Sequence, residues 1–388
     1  MRPLQRLLRR AAPVVLAVAL AVAGCAAADA PDGAVTPLGV ADTPPMGVNN
    51  WNATGCTDTF DEAWVRAQAD ALVRTGLRDA GYRYVDLDDC WAAPARDAAG
   101  RLVPDPVRFP HGIAALADYV HARGLRLGIY SSAGTMTCDA RGFPGGLSHE
   151  TTDAASFASW GVDLLKYDDC YTAGTDAVAR YTVMARALAA TGRPIVYVLC
   201  DKGNSAPWLW ARGVAQQWRT THDIADTWSS VADIIGRSVP LTRYQGAGAW
   251  NDPDMLEIGN GGLTPDEERT QFATWSMLAA PLVAGTDLAA ASPATLGLLG
   301  NRAVVAVDQD PLAAPATVVG TDADGAGPTG RLVLARPLTA GRTATSVTAL
   351  GDAPVVVPAG VSGRDLLTGA PVAPGTVVAP HATVLVTT

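Results

Sequence analysis

Acidic residues in this chain gather at the ends of short apolar runs. Asp88-Asp89-Cys90-Trp91 follows one run, and Lys166-Tyr167-Asp168-Asp169-Cys170 ends another. Cys200-Asp201 comes next, then Arg219 with Asp223, then Asn251-Asp252-Pro253-Asp254 after a Gly-rich stretch. Two carboxylates brought to one point suit glycosidic bond hydrolysis, one as nucleophile or base and the other as acid. Lys166 and Asp168 are two residues apart, so on a strand they share a face. There the ammonium favours the ionised carboxylate and can donate to a substrate hydroxyl. Nearby tryptophans offer a flat apolar surface to a sugar ring. A helix N-cap explains any one acid placed after a strand. It explains the set poorly, because Lys and Arg recur with the acids and Trp lies beside them.

Other chemistries find little support. His111, His121, His149, His222 and His381 are dispersed, with no H-E-x-x-H spacing, so no metal site is expected. No P-loop, nucleophile elbow or dinucleotide fingerprint is present, and no cofactor is expected. A Schiff-base role for Lys166 competes with a salt-bridged one, which its flanking acids favour. The net charge of −9 argues against a general nucleic-acid binder, since phosphate binding wants an excess of Lys and Arg.

The elements that must position these residues can be read from the pattern. Between residues 43 and 311 apolar runs alternate with helical periodicity, the mark of βα units. Residues 84–87, 126–130, 162–167 and 194–199 read as strands. Thr59-x-x-Glu62 is a candidate capping box. Ile113, Leu116, Ala117 and Val120 keep helical spacing, and Gly124 stands where a C-terminal glycine would. Thr264-Pro265-Asp266-Glu267 opens another helix. The expected fold is α/β, a (β/α)₈ TIM barrel, whose C-terminal strand ends form one face and gather the acids there. Beyond it, residues 312–388 carry short β-prone runs (332–335, 355–357, 376–378, 383–386) and no helical period. They read as a small C-terminal antiparallel β-sandwich domain that packs on the barrel. Lacking Trp, Tyr and Phe, it has nothing to stack on a sugar.

The N-terminus reads as an export signal. Residues 1–10 carry four arginines and no acid, and residues 11–23 form an apolar run too short to span a bilayer. Val22-Ala23-Gly24-Cys25 has the form of a lipobox. Residues 1–25 are therefore expected to be a lipoprotein-type signal, with Cys25 lipidated and residues 26–42 a flexible tether. A plain signal peptide is the alternative. The protein is expected outside the cytoplasm, touching a membrane only through that anchor. Without Cys25 five cysteines remain, an odd number, so one is free or bonded elsewhere; spacing leaves the pairing open.

Taken together, certain segments resemble glycoside hydrolase family 27, the α-galactosidase (melibiase) family. They are Thr43-Pro44-Pro45-Met46-Gly47, Asp86-Leu87-Asp88-Asp89-Cys90-Trp91, Leu127-Gly128-Ile129-Tyr130, Thr137-Cys138 and Trp160-Gly161-Val162-Asp163-Leu164-Leu165-Lys166-Tyr167-Asp168. Trp218-Arg219, Asp223-Ile224, Trp250-Asn251-Asp252-Pro253-Asp254-Met255-Leu256 and Asp308-Gln309-Asp310-Pro311-Leu312 complete the series, in the family's order. The resemblance implies double displacement with retention, Asp168 as nucleophile and Asp223 as acid/base with a raised pKa. It implies sugar contacts from Asp88 and Asp89 (4- and 6-hydroxyls), Lys166 (3- and 4-hydroxyls) and Arg219 (2-hydroxyl). Tyr130, Asp201, Asp254 and Met255 complete the implied substrate-binding set. It also implies the disulfides Cys56–Cys90 and Cys138–Cys170.

Three departures bear on the substrate. The family usually has Trp where this chain has Val48, which implies a wider pocket beside the 4- and 6-hydroxyls. It usually has Cys-(Glu/Asn)-Trp where this chain has Cys200-Asp201-Lys202. Cys200 also lacks its usual partner, because no cysteine stands near Ala215. A terminal α-D-galactoside in an oligosaccharide or glycoside is the expected substrate. β-L-Arabinopyranosides and isomaltose-type α-glucosides are the alternatives within the family. A non-catalytic carbohydrate-binding lipoprotein and a metal-dependent barrel hydrolase are the rivals from other classes.

Overall fold

The computed structural model describes residues 40–172, 174–323 and 328–388. The signal, Cys25 and nearly all of the tether lie outside the described residues. Eight short parallel strands form one sheet. They are β1 (Met46–Asn49), β2 (Tyr84–Asp86), β3 (Arg126–Ser132), β4 (Leu164–Asp168), β5 (Val196–Cys200), β6 (Gln217–Arg219), β7 (Trp250–Asp252) and β8 (Leu282–Ala284). Their order is β7-β6-β5-β4-β3-β2-β1-β8. Just past β7, Leu256 bridges to Ala284 of β8, donating to Val283 O at 2.8 Å and accepting from Gly285 N at 2.9 Å. That bridge closes the sheet into the expected barrel.

Strand alternation divides the side chains into two sets. Val48, Val85, Leu127, Ile129, Leu165, Tyr167, Tyr197, Leu199 and Trp218 are buried in the layer between sheet and helices. The alternate residues face the axis. At its base Tyr84, Leu164, Val196 and Val198 form an apolar plug. Above it come polar groups, among them Asp86, Lys166, Gln217, Arg219 and Asp252. The barrel is thus apolar below and charged above.

Helix signals in the sequence were mostly legible. The helix Gly112–His121 buries Ile113, Leu116, Ala117 and Val120. Gly124, at φ +70°, donates to His121 O, while Leu125 reaches back to Val120 O, a Schellman arrangement. The helix Pro265–Leu278 has the full capping box between Thr264 and Glu267. Thr59, however, caps nothing. Asp61 is the N-cap of the helix Glu62–Arg74, its carboxylate accepting from Trp64 N at 2.8 Å, and Glu62 instead pairs with Arg66. An Asp cap nearer the helix start wins over a more distant hydroxyl. Asn251 and Asp252 also differ from expectation, lying inside β7 rather than after it.

The C-terminal part is antiparallel. β9 (Thr317–Ala323), β10 (Pro328–Pro337), β11 (Thr343–Ala349) and β16 (Thr383–Thr387) form a four-stranded sheet in the order β16-β11-β10-β9. Two ribbons, β12 (Val355–Val356) with β15 (Val377–Val378) and β13 (Gly363–Arg364) with β14 (Pro371–Val372), cover it. Leu332, Leu334 and Leu385 join the barrel core, whereas Val333, Val347 and Val386 pack under the ribbons. Period-two alternation makes the sandwich, one face on the barrel and one on the ribbons. No helix among the described residues is long and apolar enough to cross a membrane.

Candidate active site

The acids found in the sequence converge at the C-terminal end of the barrel. One cavity there is lined by Asp88 and Asp89 beyond β2, Tyr130 of β3, Lys166 and Asp168 of β4, and Arg219 of β6. Lys202, Asp223, Asp254 and Met255 come from the loops after β5, β6 and β7, and Trp51 and Asn52 from the short helix Trp51–Thr54 after β1. Backbone shape helps aim these groups. Cys90, Tyr171, Lys202 and Asp254 all take left-handed φ, from +53° to +83°. Such angles are costly outside glycine and collect at functional sites.

Asp168 ends β4 and is 5% exposed. The Tyr130 hydroxyl donates to its Oδ2 at 2.9 Å, and the Asp169 N–H donates to Oδ1 at 2.9 Å. Lys166, expected beside Asp168, instead donates to Asp88 Oδ2 at 2.7 Å, where Asn49 also donates at 2.8 Å. The salt-bridged reading of this lysine therefore describes it, and the ion pair holds its ammonium charged despite burial. Asp89 is held by the N–H groups of Cys90 and Asp139. Burial pushes its carboxyl up to about 6, with those donors pulling the other way.

Arg219 is almost wholly buried. Its Nη2 lies 2.9 Å from Asp254 Oδ2 and 3.1 Å from Asp223 Oδ1. Asp254 in turn accepts the Ile224 N–H at 2.8 Å, which fixes the loop carrying Asp223. Asp223 itself stands out into the cavity with a side chain 59% exposed. The raised pKa expected for it is not found. Partial burial does push upward, but Arg219, then Lys202 and Lys166, outweigh it and hold the carboxyl below the ordinary range.

Three further expectations change. Asp201 does not line the cavity. Its carboxylate turns back into its own loop and accepts the N–H groups of Gly203 and Ser205, each at 3.0 Å, and the Ser205 hydroxyl. The next residue, Lys202, enters the cavity instead, and its Nζ lies 3.5 Å from both Asp168 Oδ1 and Asp223 Oδ2. Val48 does not widen the cavity, because it faces the helices while Asn49 faces the axis. Trp51 and Asn52 wall that side, residues the sequence motif contained but assigned no role. Cys200 is free and fully enclosed below the cavity, 3.7 Å from Arg219 Nη1.

Both disulfides implied by the resemblance are present, Cys56–Cys90 and Cys138–Cys170. Each ties a strand tip carrying site acids to a neighbouring loop, and both fit an oxidising compartment. Among the described residues the groups with metal-ligand proximity, Cys56/Cys90/Asp139 and Cys138/Asp168/Cys170, are built on these disulfide sulfurs, which offer no thiolate.

A melibiase profile described as "Alpha galactosidase A" matches residues 43–310. The α-galactosidase of Cyamopsis tetragonoloba is 50% identical over 274 residues, 71% of this chain. The chain spans just under two thirds (66%) of that relative's length. The α-galactosidase of Coffea arabica is 46% identical over 333 residues, covering 84% of this chain and 87% of the relative. Among solved structures, α-galactosidase I from Mortierella vinacea superposes with a TM-score of 0.83 at 33% identity, over 90% of this chain and 97% of that one.

Proposed function

The chain belongs to the melibiase family, glycoside hydrolase family 27, and from that membership we propose that it is a retaining exo-glycosidase of terminal α-D-galactosides. The observation that carries the reading is the pair Asp168 and Asp223. They project from β4 and from the loop after β6 into one cavity, close enough for a single ammonium to touch both. Their contacting oxygens are thus no farther apart than about twice 3.5 Å, which admits the short spacing of retaining enzymes.

In this mechanism the Asp168 carboxylate attacks the anomeric carbon. Asp223 protonates the glycosidic oxygen, the C–O bond breaks and the aglycone leaves. Asp223, now ionised, takes a proton from water, whose oxygen displaces Asp168 from the sugar and regenerates both groups. Tyr130 keeps Asp168 in line by its hydrogen bond. Asp88, Asp89 and Lys166 read the hydroxyls on the far side of the ring, and Arg219 with Asp254 borders the near side. Met255 and Trp51 supply apolar wall.

The first experiment uses protein lacking residues 1–25 and a nitrophenyl panel: α-galactoside, β-L-arabinopyranoside, α-N-acetylgalactosaminide and α-isomaltoside. Preference for the α-galactoside is expected, with kcat reduced roughly 10³-fold or more in Asp168→Asn. Preference for another glycoside would replace the substrate. Silence across the panel from folded protein would sink the α-galactosidase assignment and leave either a substrate outside these classes or a sugar-binding protein.

Anchoring belongs to the same proposal. Lipidated at Cys25, the full chain would sediment with membranes, and Cys25→Ser would release it. Equal sedimentation of the two would remove the anchor.

A further inference from the structure

Lys202 is the cavity's unexpected cation. Its backbone is fixed. Asp201 locks the turn by accepting from Gly203 and Ser205. Gly203 packs so tightly that an added Cβ would lie 2.4 Å from Thr220 O. The turn forces Lys202 to φ +57° and throws its side chain between Asp168 and Asp223. That gap is where the anomeric carbon and glycosidic oxygen must sit. Ammonium and sugar therefore compete for one place.

The contacts are those of a group that can leave. At 3.5 Å to each carboxylate they are much looser than the 2.7 Å bond of Lys166 to Asp88. The lysine stem is long and flexible. Arg219 cannot give way likewise, because it is buried and tied to Asp254 as well as Asp223.

We propose that Lys202 is a displaceable counter-cation, which pairs with both catalytic carboxylates and moves off Asp223 when a neutral glycoside enters. Asp223 then takes up a proton from solvent and becomes the acid. This rests on the assignment of Asp168 and Asp223 above and makes Lys202 a positioning residue.

The charges around the pair agree. Asp223 faces Arg219 of its own strand end, Lys202 beyond β5, Lys166 and Asp168 of β4, and Asp254 beyond β7. Lys202 faces Asp168 of β4, Asp169 just beyond it, Cys200 of β5 and Asp223. Tyr130 of β3 donates to Asp168 and brings no charge. Arg219 first, then Lys202 and Lys166, hold the Asp223 carboxyl below the ordinary range against the upward push of burial. Losing the ammonium, and losing solvent under a bound sugar, both raise its pKa.

The test compares wild type with Lys202→Met and Lys202→Arg. One readout is kcat/KM against pH on the glycoside that the panel identifies. The other is calorimetric affinity for galactose and for a galactose-configured cationic iminosugar, deoxygalactonojirimycin. Lys202→Met should shift the basic limb upward by about one pH unit. It should also favour the iminosugar over galactose by roughly tenfold more than wild type, since the carboxylates lose their internal cation. Lys202→Arg keeps the charge and should keep the wild-type limb. An unmoved limb with an unchanged iminosugar-to-galactose ratio in folded Lys202→Met overturns this proposal alone. No binding of either sugar by any of the three proteins overturns it together with the proposed function.

Discussion

Asp201 and Lys202 are neighbours whose roles a linear reading exchanges. An acid at a strand end invites assignment to the substrate, yet Asp201 spends its carboxylate on its own turn. Which of two adjacent side chains faces a cavity depends on one φ angle, here the +57° of Lys202. Cys200, one residue earlier, ends β5 with its sulfur facing the axis and no exposure. Burial first, then the charge of Asp168, pushes its thiol well above the usual range. A neutral, enclosed thiol is a poor nucleophile. Iodoacetamide should therefore leave activity intact in native protein lacking residues 1–25 and label one thiol only after unfolding. Labelling of the native protein that galactose prevents would put Cys200 in the cavity after all.

At the scale of elements, the barrel strands carry the chemistry because alternation separates an apolar back from an axis face, and β1–β4, β6 and β7 end that face in a polar group. The fit between strands is tight beneath the site. Gly128 of β3 pairs with Asp86 of β2, and a Cβ on Gly128 would lie 1.9 Å from Asp86 Oδ1. Asp86 has little freedom to yield. It is buried among β2, β3 and Lys166, and that burial raises its carboxyl to about 8, Lys166 opposing and Asp88 adding to the rise. Gly128→Ala should cost about 2–3 kcal/mol through overpacking, read as a melting temperature lower by several degrees. A wild-type melting temperature would show that the strands can part without penalty.

Across the whole molecule, barrel and C-terminal sheet share one core and a polar joint. Arg336 of β10 is fully buried and donates to the carbonyls of Ser276 at 2.7 Å, Ala314 at 3.1 Å and Asp308 at 3.2 Å. The Asp308 side chain lies in the same joint, where burial raises its carboxyl to about 8 and Arg336 only partly opposes. The folded state then holds a proton that the unfolded chain releases above about pH 4. Stability from this group falls as pH climbs from about 4 to about 8 and is level beyond. Asp308→Asn removes the loss and keeps an acceptor for Gln309. Its melting temperature should match wild type near pH 4 and exceed it by a few degrees at pH 8. A constant difference across that range would show that Asp308 is ionised in the fold.

The sequence by itself determined what local rules control. The strands 84–87 and 126–130, the Gly124 helix end and the Thr264 capping box depend on neighbours a few residues away. The order of motifs, each compact in sequence, carried the barrel and the convergence of Asp88, Asp168, Arg219, Asp223 and Asp254. Tertiary structure decided what depends on partners far along the chain. Lys166 chose Asp88 over Asp168 because β2 and β4 both face the axis. Val48 turned to the helices because Asn49 took the inner face. Asp223 lost its expected raised pKa because Arg219, and a lysine from the loop after β5, surround it. Charge, burial and competition for space are sums over the folded neighbourhood, and no window of the sequence contains them.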